Sequence, residues 1–206
     1  MKLVFATNNP HKLNEIRNLL GNRYELLGLA DIGCSEDIPE NQPTLEGNAS
    51  EKAFYVFNHF GYNCFADDTG LEIEALGGEP GVFSARYAGP AKNPNDNMQK
   101  VLEKMAEIKQ RKARFRTVIS LVIDGKEWQF EGIVEGEILH EKRGTEGFGY
   151  DPIFLPAGFS QSFAQMPLAE KNQISHRARA IEKLVRFLTE NSGIATQLLN
   201  GCNGNG

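Results

Sequence analysis

The strongest single constraint in this sequence is a β-hairpin. Residues 113–123 and 126–139 are two long strand-patterned stretches joined by Asp124-Gly125, a two-residue link suited to the tight primed turns that need positive φ. A chain holding such a pair must build a sheet. Elsewhere, apolar runs and helical patterns alternate along most of the length, which makes the fold class α/β, with layers of helix against sheet.

The elements read in order as follows. Residues 3–6 form a buried strand, and 11–20 a helix with Leu13, Ile16, Leu19 and Leu20 on one face and Pro10 in its tolerant first turn. Residues 24–29 form a second strand, and a polar loop over 33–43 leads into a helix over 44–60. Cys64-Phe65-Ala66 and residues 71–76 are expected as two short strands separated by an acidic turn, Asp67-Asp68-Thr69-Gly70. Residues 77–81 are too dense in Gly and Pro for regular structure. Asn95 or Asp96 is expected to cap a helix running to Lys109, residues 144–152 form a glycine-rich loop, and 175–188 form a closing amphipathic helix.

Of 206 residues, 40% are hydrophobic and 24% charged, enough apolar matter for one substantial core and too little charge for a disordered chain. One domain over residues 1–199 is expected, with an Asn/Gly-rich, disordered tail at 200–206. With 22 Lys+Arg against 27 Asp+Glu the net charge is −5, which excludes a broad electrostatic grip on nucleic acid or membrane. A polyanionic ligand must therefore meet a local basic patch. No apolar run reaches the roughly 18–20 residues of a membrane span, and the start turns polar at Thr7-Asn8, too early for a secretory leader. Cys34, Cys64 and Cys202 have no C-x-x-C spacing, so a reducing cytoplasm is expected, without disulfides or a zinc knuckle. His11, His59 and His140 show no metal-ligand spacing.

Four segments carry possible chemistry. Thr7-Asn8-Asn9-Pro10-His11-Lys12 lies between the first strand and first helix, where free N–H groups and the helix dipole favour an anion. The same residues also read as a plain Asn cap with a solvated lysine. Asp67 and Asp68 follow an apolar strand and point to opposite faces of it, suited to Mg²⁺, or else form an Asx turn. Glu40 and Glu46 are further carboxylates near the second helix. Phe148-Gly149-Tyr150-Asp151 offers a ring for stacking on a base and an acid for ring N–H groups, or a packing plug. Ser175-His176-Arg177 places donors at the start of the last helix.

Together these segments describe a nucleotide with its metal, and their sequences resemble the inosine triphosphate pyrophosphatase family. The matching stretches are TNNPHK at 7–12, ADDTGL at 66–71, ALGGEPGVFSARYAG at 75–89, FGYDPIF at 148–154 and AEKNQISHRARA at 169–180. The resemblance implies a long mixed β-sheet flanked by helices, in two lobes with a nucleotide-binding cleft, and a cytoplasmic homodimer. It implies that Thr7, Asn8, Asn9, Pro10, His11 and Lys12 hold the triphosphate, with charge from Lys52 and Lys171. Asp68 is the implied catalytic carboxylate and contacts Mg²⁺ together with Glu40; Asp67 and Glu46 are neighbours of undecided role. Thr69 lies near the substrate. Phe148 stacks on the base with Gly149 and Tyr150 beside it, Asp151 meets its edge, and His176 and Arg177 donate to the 6-oxo group. The implied reaction is attack of water on the α-phosphorus of ITP, dITP or XTP, releasing pyrophosphate and cleansing the nucleotide pool. The alternatives are a pyrophosphatase of pyrimidine or modified-base triphosphates, and a nucleotide sensor without turnover.

Overall fold

The structure, a computed structural model, describes residues 2–20, 25–36 and 38–191. Tyr24, the end of the expected domain at 199 and the tail 200–206 lie outside the described residues. The elements are β1 (Lys2–Phe5), α1 (Pro10–Leu20), β2 (Glu25–Leu27), α2 (Leu45–Phe60), β3 (Cys64–Ile73), α3 (Pro94–Lys104), β4 (Lys112–Ile123), β5 (Lys126–Ile138), β6 (Phe154–Pro156), α4 (Leu168–Ile174) and α5 (His176–Glu190). The strands form one sheet in the order β2-β1-β3-β4-β5-β6. β1 runs parallel to both β2 and β3, whereas β5 and β6 are antiparallel. The sheet is thus mixed and carries helices, the α/β class read from the sequence.

Local chemistry sets most boundaries. Thr44 caps α2 by accepting from the Gly47 N–H at 3.0 Å, and Gly61 ends it in the left-handed region at φ 71°. The hairpin turn is as expected, with Asp124 at φ 50° and Gly125 at φ 77°. Asn63 braces it, accepting from the Asp124 N–H at 2.9 Å. α3 differs from expectation at both ends. Its cap is Asn93, which accepts from the N–H of Asn95 at 2.9 Å, with Pro94 at the first helical position. It stops at Lys104 rather than Lys109 because the following carbonyls turn toward a buried guanidinium: Arg111 Nη1 donates to Met105 O at 2.9 Å and to Ile108 O at 3.3 Å. The expected closing helix is present as α5, which starts at His176, with Ser175 in extended backbone separating it from α4.

The largest correction concerns residues 64–76. They are not two short strands around an acidic turn; β3 runs unbroken through Asp67-Asp68-Thr69-Gly70. Its second half is braced by the 77–86 segment folding back on it, with the Leu71 N–H donating to Ser84 Oγ at 2.9 Å and the Ile73 N–H to Glu79 O at 3.1 Å. Gly70 therefore serves close approach rather than a turn: a Cβ there would lie 2.7 Å from the Gly81 carbonyl oxygen. Leu76 leaves the strand in a short 3₁₀ turn, Glu74–Leu76.

The chain divides into two compact units, the first Met1–Asp68, Thr117–Gly132 and Ala178–Gly206, the second Thr69–Arg116 and Ile133–Arg177. In the first unit, alternation along the strands loads two cores. Leu3, Phe5 and Phe65 pack with Ile16 and Leu20 of α1 and with Ile181 and Leu184 of α5, and the Phe5 and Phe65 rings stack at 4.7 Å. Val4, Ala6, Cys64 and Ala66 face the other way, toward Ala53 and Val56 of α2. The second unit has its own core, including Leu71, Ile73, Met98, Phe115, Tyr150, Phe154 and Phe163.

Because the neighbour at Gly70 is backbone and cannot swing aside, Gly70→Ala must push the 77–86 segment off β3. We expect a loss of about 1–3 kcal/mol, read as a lower urea midpoint with an unchanged m-value. An unaltered midpoint would mean that the fold-back does not brace the strand.

Candidate active site

In the first unit the site is built on β3. Asp67 and Asp68 are consecutive, so they leave the strand on opposite sides, and each is met by a lysine from a different helix. Asp67, on the Phe65 side, receives Lys12 of α1, whose Nζ lies 2.8 Å from Oδ1. Asp68, on the Ala66 side, faces α2: Asn48 Nδ2 donates to its Oδ2 at 2.9 Å, and Lys52 Nζ stands 3.9 Å from Oδ1. The same Lys52 ammonium bonds Glu40 Oε1 at 2.5 Å. Thr7, Asn8 and Asn9 shape the entry to α1. Asn9 Oδ1 accepts from the N–H groups of His11 at 2.9 Å and Lys12 at 3.3 Å, Thr7 Oγ1 accepts from the Asn9 N–H at 3.2 Å, and Asn8 donates to Glu36 O at 3.5 Å. The capping reading of Asn9 is thus observed, but Lys12 is no solvated bystander. Pro10 and His11 form the first turn of α1.

The electrostatics follow from burial. Asp67 is 1% exposed, Asp68 8% and Lys52 6%. Burial pushes the Asp68 carboxyl up, against the pull of Lys52, Lys12 and the Asn48 hydrogen bond, and the net direction is upward. For Glu40 burial also pushes up, but the attraction and hydrogen bond of Lys52, with Lys12 beyond, win and hold it below the usual range. Lys52 loses charge stability to burial and regains more from Asp68, Glu40 and Asp67, so it stays protonated and its pKa is raised. The result is one carboxylate held firmly as an anion and one made more basic than an ordinary aspartate. Glu40 and Asp68 offer hard oxygen donors around a single ammonium position. Among the described residues no group of three His, Cys, Asp or Glu converges on one point. A divalent ion here would take two protein carboxylates and fill its shell with water and ligand oxygens, the habit of Mg²⁺. Glu46 lies in the first turn of α2.

The second unit holds an aromatic and cationic group. Asp151 Oδ2 accepts both from Lys171 Nζ at 2.8 Å and from the Phe148 N–H at 2.8 Å. Lys171 lies 5.1 Å from the centre of the Phe148 ring, and the Arg177 guanidinium 5.7 Å from it. Arg177 Nη2 donates to Thr69 Oγ1 at 3.2 Å. His176 stacks on Phe115 with centroids 4.7 Å apart and planes 19° from parallel. Gly147 is required here, since a Cβ on it would fall 2.1 Å from the Asp151 carboxylate. Two residues have partners within the second unit. Lys171, expected with the triphosphate, is paired with Asp151 beside Phe148. Tyr150, expected beside the base, is buried and donates its hydroxyl to Ser84 O at 2.8 Å. Gly149 supplies the positive φ, 64°, that turns the loop.

Other features stay apart from these groups. The thiols of Cys34 and Cys64 are free and buried, and burial pushes Cys64 up to about 12, which removes it as a nucleophile. A cavity of about 490 Å³ lined by Glu74, Lys112, Glu135, Glu137 and Phe159 shares no residue with either group. Sequence reasoning passed over Asn48 and Phe115. A polar residue on the buried face of α2, one turn before Lys52, was the available signal for Asn48; Phe115 sits in an apolar run and gave none.

The Ham1 family profile matches residues 3–187. A dITP/XTP pyrophosphatase of Christiangramia forsetii is 57% identical over 190 residues, spanning 92% of this chain and 100% of that protein. One of Flavobacterium johnsoniae is 54% identical over 189 residues, spanning 92% and 98%. The solved structure of a Ham1 protein from Coxiella burnetii superposes with a TM-score of 0.85 at 39% identity, covering 92% of this chain and 99% of that one. Every segment that carries the paired acids, the lysines and the aromatic group lies inside the matched span, and the chain belongs to the Ham1 family.

Proposed function

We propose that this chain is a hydrolase that cleaves dITP, ITP and XTP to the nucleoside monophosphate and pyrophosphate, removing deaminated purines from the nucleotide pool. The observation that carries the reading is Asp68: a buried carboxylate of raised pKa that shares one ammonium with Glu40. The naming of the relatives as dITP/XTP pyrophosphatases supports it.

In this reading the chain's own groups divide the work. Lys12 and Lys52 offset charge on the triphosphate, aided by the N–H groups at the start of α1. Asp68 takes a proton from the water that attacks the α-phosphorus, and its raised pKa makes it the better base. Glu40 and Asp68 are the residues that hold Mg²⁺, which when bound supplies charge neutralisation at the phosphate oxygens. Phe148 stacks on the base. His176 and Arg177 donate to a 6-oxo group, and the 6-amino group of adenine would face them donor to donor. The cytoplasm is the compartment that suits buried free thiols. Lys171, bonded to Asp151 over Phe148, acts at the base end rather than on the phosphates.

Four outcomes check this reading. In a panel of dITP, XTP, ITP, dUTP, ATP and GTP with Mg²⁺, pyrophosphate release should be fastest for the deaminated purines and stop with EDTA. Preference for dUTP would replace the purine reading, and turnover in EDTA would remove the metal from it. Asp68→Asn should lower kcat by about 10²-fold or more, and Asp67→Asn by less. Arg177→Ala should narrow the ITP/ATP ratio of kcat/KM by about ten- to a hundredfold; equal slowing of both substrates would take Arg177 out of base selection. Finally, Lys12→Ala should weaken a non-hydrolysable ITP analogue without changing inosine affinity, whereas Lys171→Ala should weaken both. Inosine binding that ignores Lys171 would return that lysine to the phosphates.

A further inference from the structure

Asn48 stands out among the residues given no role so far. Its side chain is 1% exposed, and both ends of its amide are engaged. Nδ2 donates to Asp68 Oδ2 at 2.9 Å, while Oδ1 accepts from the Gln42 N–H at 2.9 Å. The second bond settles the orientation of the first, because a backbone N–H can only face the amide oxygen, which leaves the NH₂ for the carboxylate. Asn48 therefore joins β3 to the loop carrying Glu40, two residues before Gln42. That loop is drawn onto α2 at two further points. The Asn41 N–H donates to Glu51 Oε2 at 3.0 Å. Gly47 lets Gln42 pack so closely that a Cβ at 47 would lie 2.7 Å from the Gln42 Cβ.

We propose that Asn48 is the positioning residue for the catalytic carboxylate: by fastening Asp68 Oδ2 and the Glu40 loop to one amide, it sets the Asp68 rotamer, with Oδ1 on the Lys52 side, and the placement of the two acids relative to each other. The proposal rests on the reading of Asp68 as the base. Lys52 alone does not give this placement, since at 3.9 Å from Oδ1 it exerts attraction without a directional bond. An amide at position 48 is the group that meets both demands at once. An apolar side chain would leave a buried carboxylate oxygen and a backbone N–H without it, and an acid would keep the bond from Gln42 but oppose Asp68 with like charge.

The test uses the full chain and the cycle formed by Asn48→Asp, Asp68→Asn and the two together. Asn48→Asp preserves shape, so it is expected to fold, with a lowered Tm from two facing acids. The double variant reverses the pair, an amide at 68 donating to a carboxylate at 48, so its Tm should recover above that of Asn48→Asp alone. On activity, Asn48→Asp should lower kcat for dITP by about tenfold or more with KM within about threefold, the signature of lost orientation rather than lost binding. In the Asp68→Asn background the same change should leave kcat where it was, because the group it positions is gone. Asn48→Ala, which removes the amide without adding charge, should show the same kcat-only loss. Normal kcat in Asn48→Asp and Asn48→Ala while Asp68→Asn is inactive would overturn the proposal and leave the base intact. An equal fall in both backgrounds, or no recovery of Tm in the double variant, would also overturn it. Full activity of Asp68→Asn would instead remove the base itself, and the positioning role with it.

Discussion

Asp67 and Asp68 stand side by side in a strand withdrawn from water, and a buried carboxylate without partners costs several kcal/mol, so the first unit is organised around meeting them. Strand alternation sends the two acids to opposite faces of the sheet. The faces are covered by different helices, and each helix must deliver a cation: Lys12 from α1, Lys52 from α2. Removing either lysine would take a positive charge away from an acid that lies beside apolar core residues, Phe5 and Phe65 on one side, Ala66 and Val56 on the other. The pairing explains why the first turn of α1 and the third turn of α2 are set as they are against β3.

The same requirement sorts the acids chemically. Glu40 is more exposed than Asp68 and bonds Lys52 directly, so attraction outweighs desolvation and it stays an anion. Asp68 is more buried and farther from the ammonium, so desolvation prevails and its basicity rises. Similar groups thus acquire different proton affinities from distance and burial alone, one held as a constant negative charge, the other made more basic. In the second unit the logic is repeated with an aromatic lining. Lys171 and Asp151 neutralise each other deep in the core, and their pair holds the Phe148 backbone in place. A ring fixed in this way is already ordered before anything meets its face.

Much was legible in the residues themselves. The Asp124-Gly125 hairpin, the start of α2 at Thr44, the amphipathic face of α1 and the alternation that separates Asp67 from Asp68 all depend on near neighbours in the chain, and all are present. Boundaries that depend on distant groups differ from the sequence expectation. The end of α3 is set by Arg111, which draws in carbonyls of residues 105 and 108 while itself anchored to the carbonyls of Ile138 and Leu139. The continuity of β3 is set by residues 77–86, which brace the strand from outside. Asp-Asp-Thr-Gly has the composition of a turn, and only partners remote in sequence make it extended.

The sequence alone, through spacing and period, determined the layered fold class, the start of α2 at Thr44 and the opposite facing of the two acids. Tertiary structure decided their pairings: Lys12 with Asp67, Lys52 with both Glu40 and Asp68, Asn48 between Asp68 and the Glu40 loop, and Lys171 with Asp151. The reason is that a local preference is a matter of a few adjacent dihedrals and side chains, whereas an ion pair or a buried hydrogen bond joins groups such as residues 12 and 67. Its strength depends on how much water the fold removes around both, a quantity that exists only once the helices have closed over the strand.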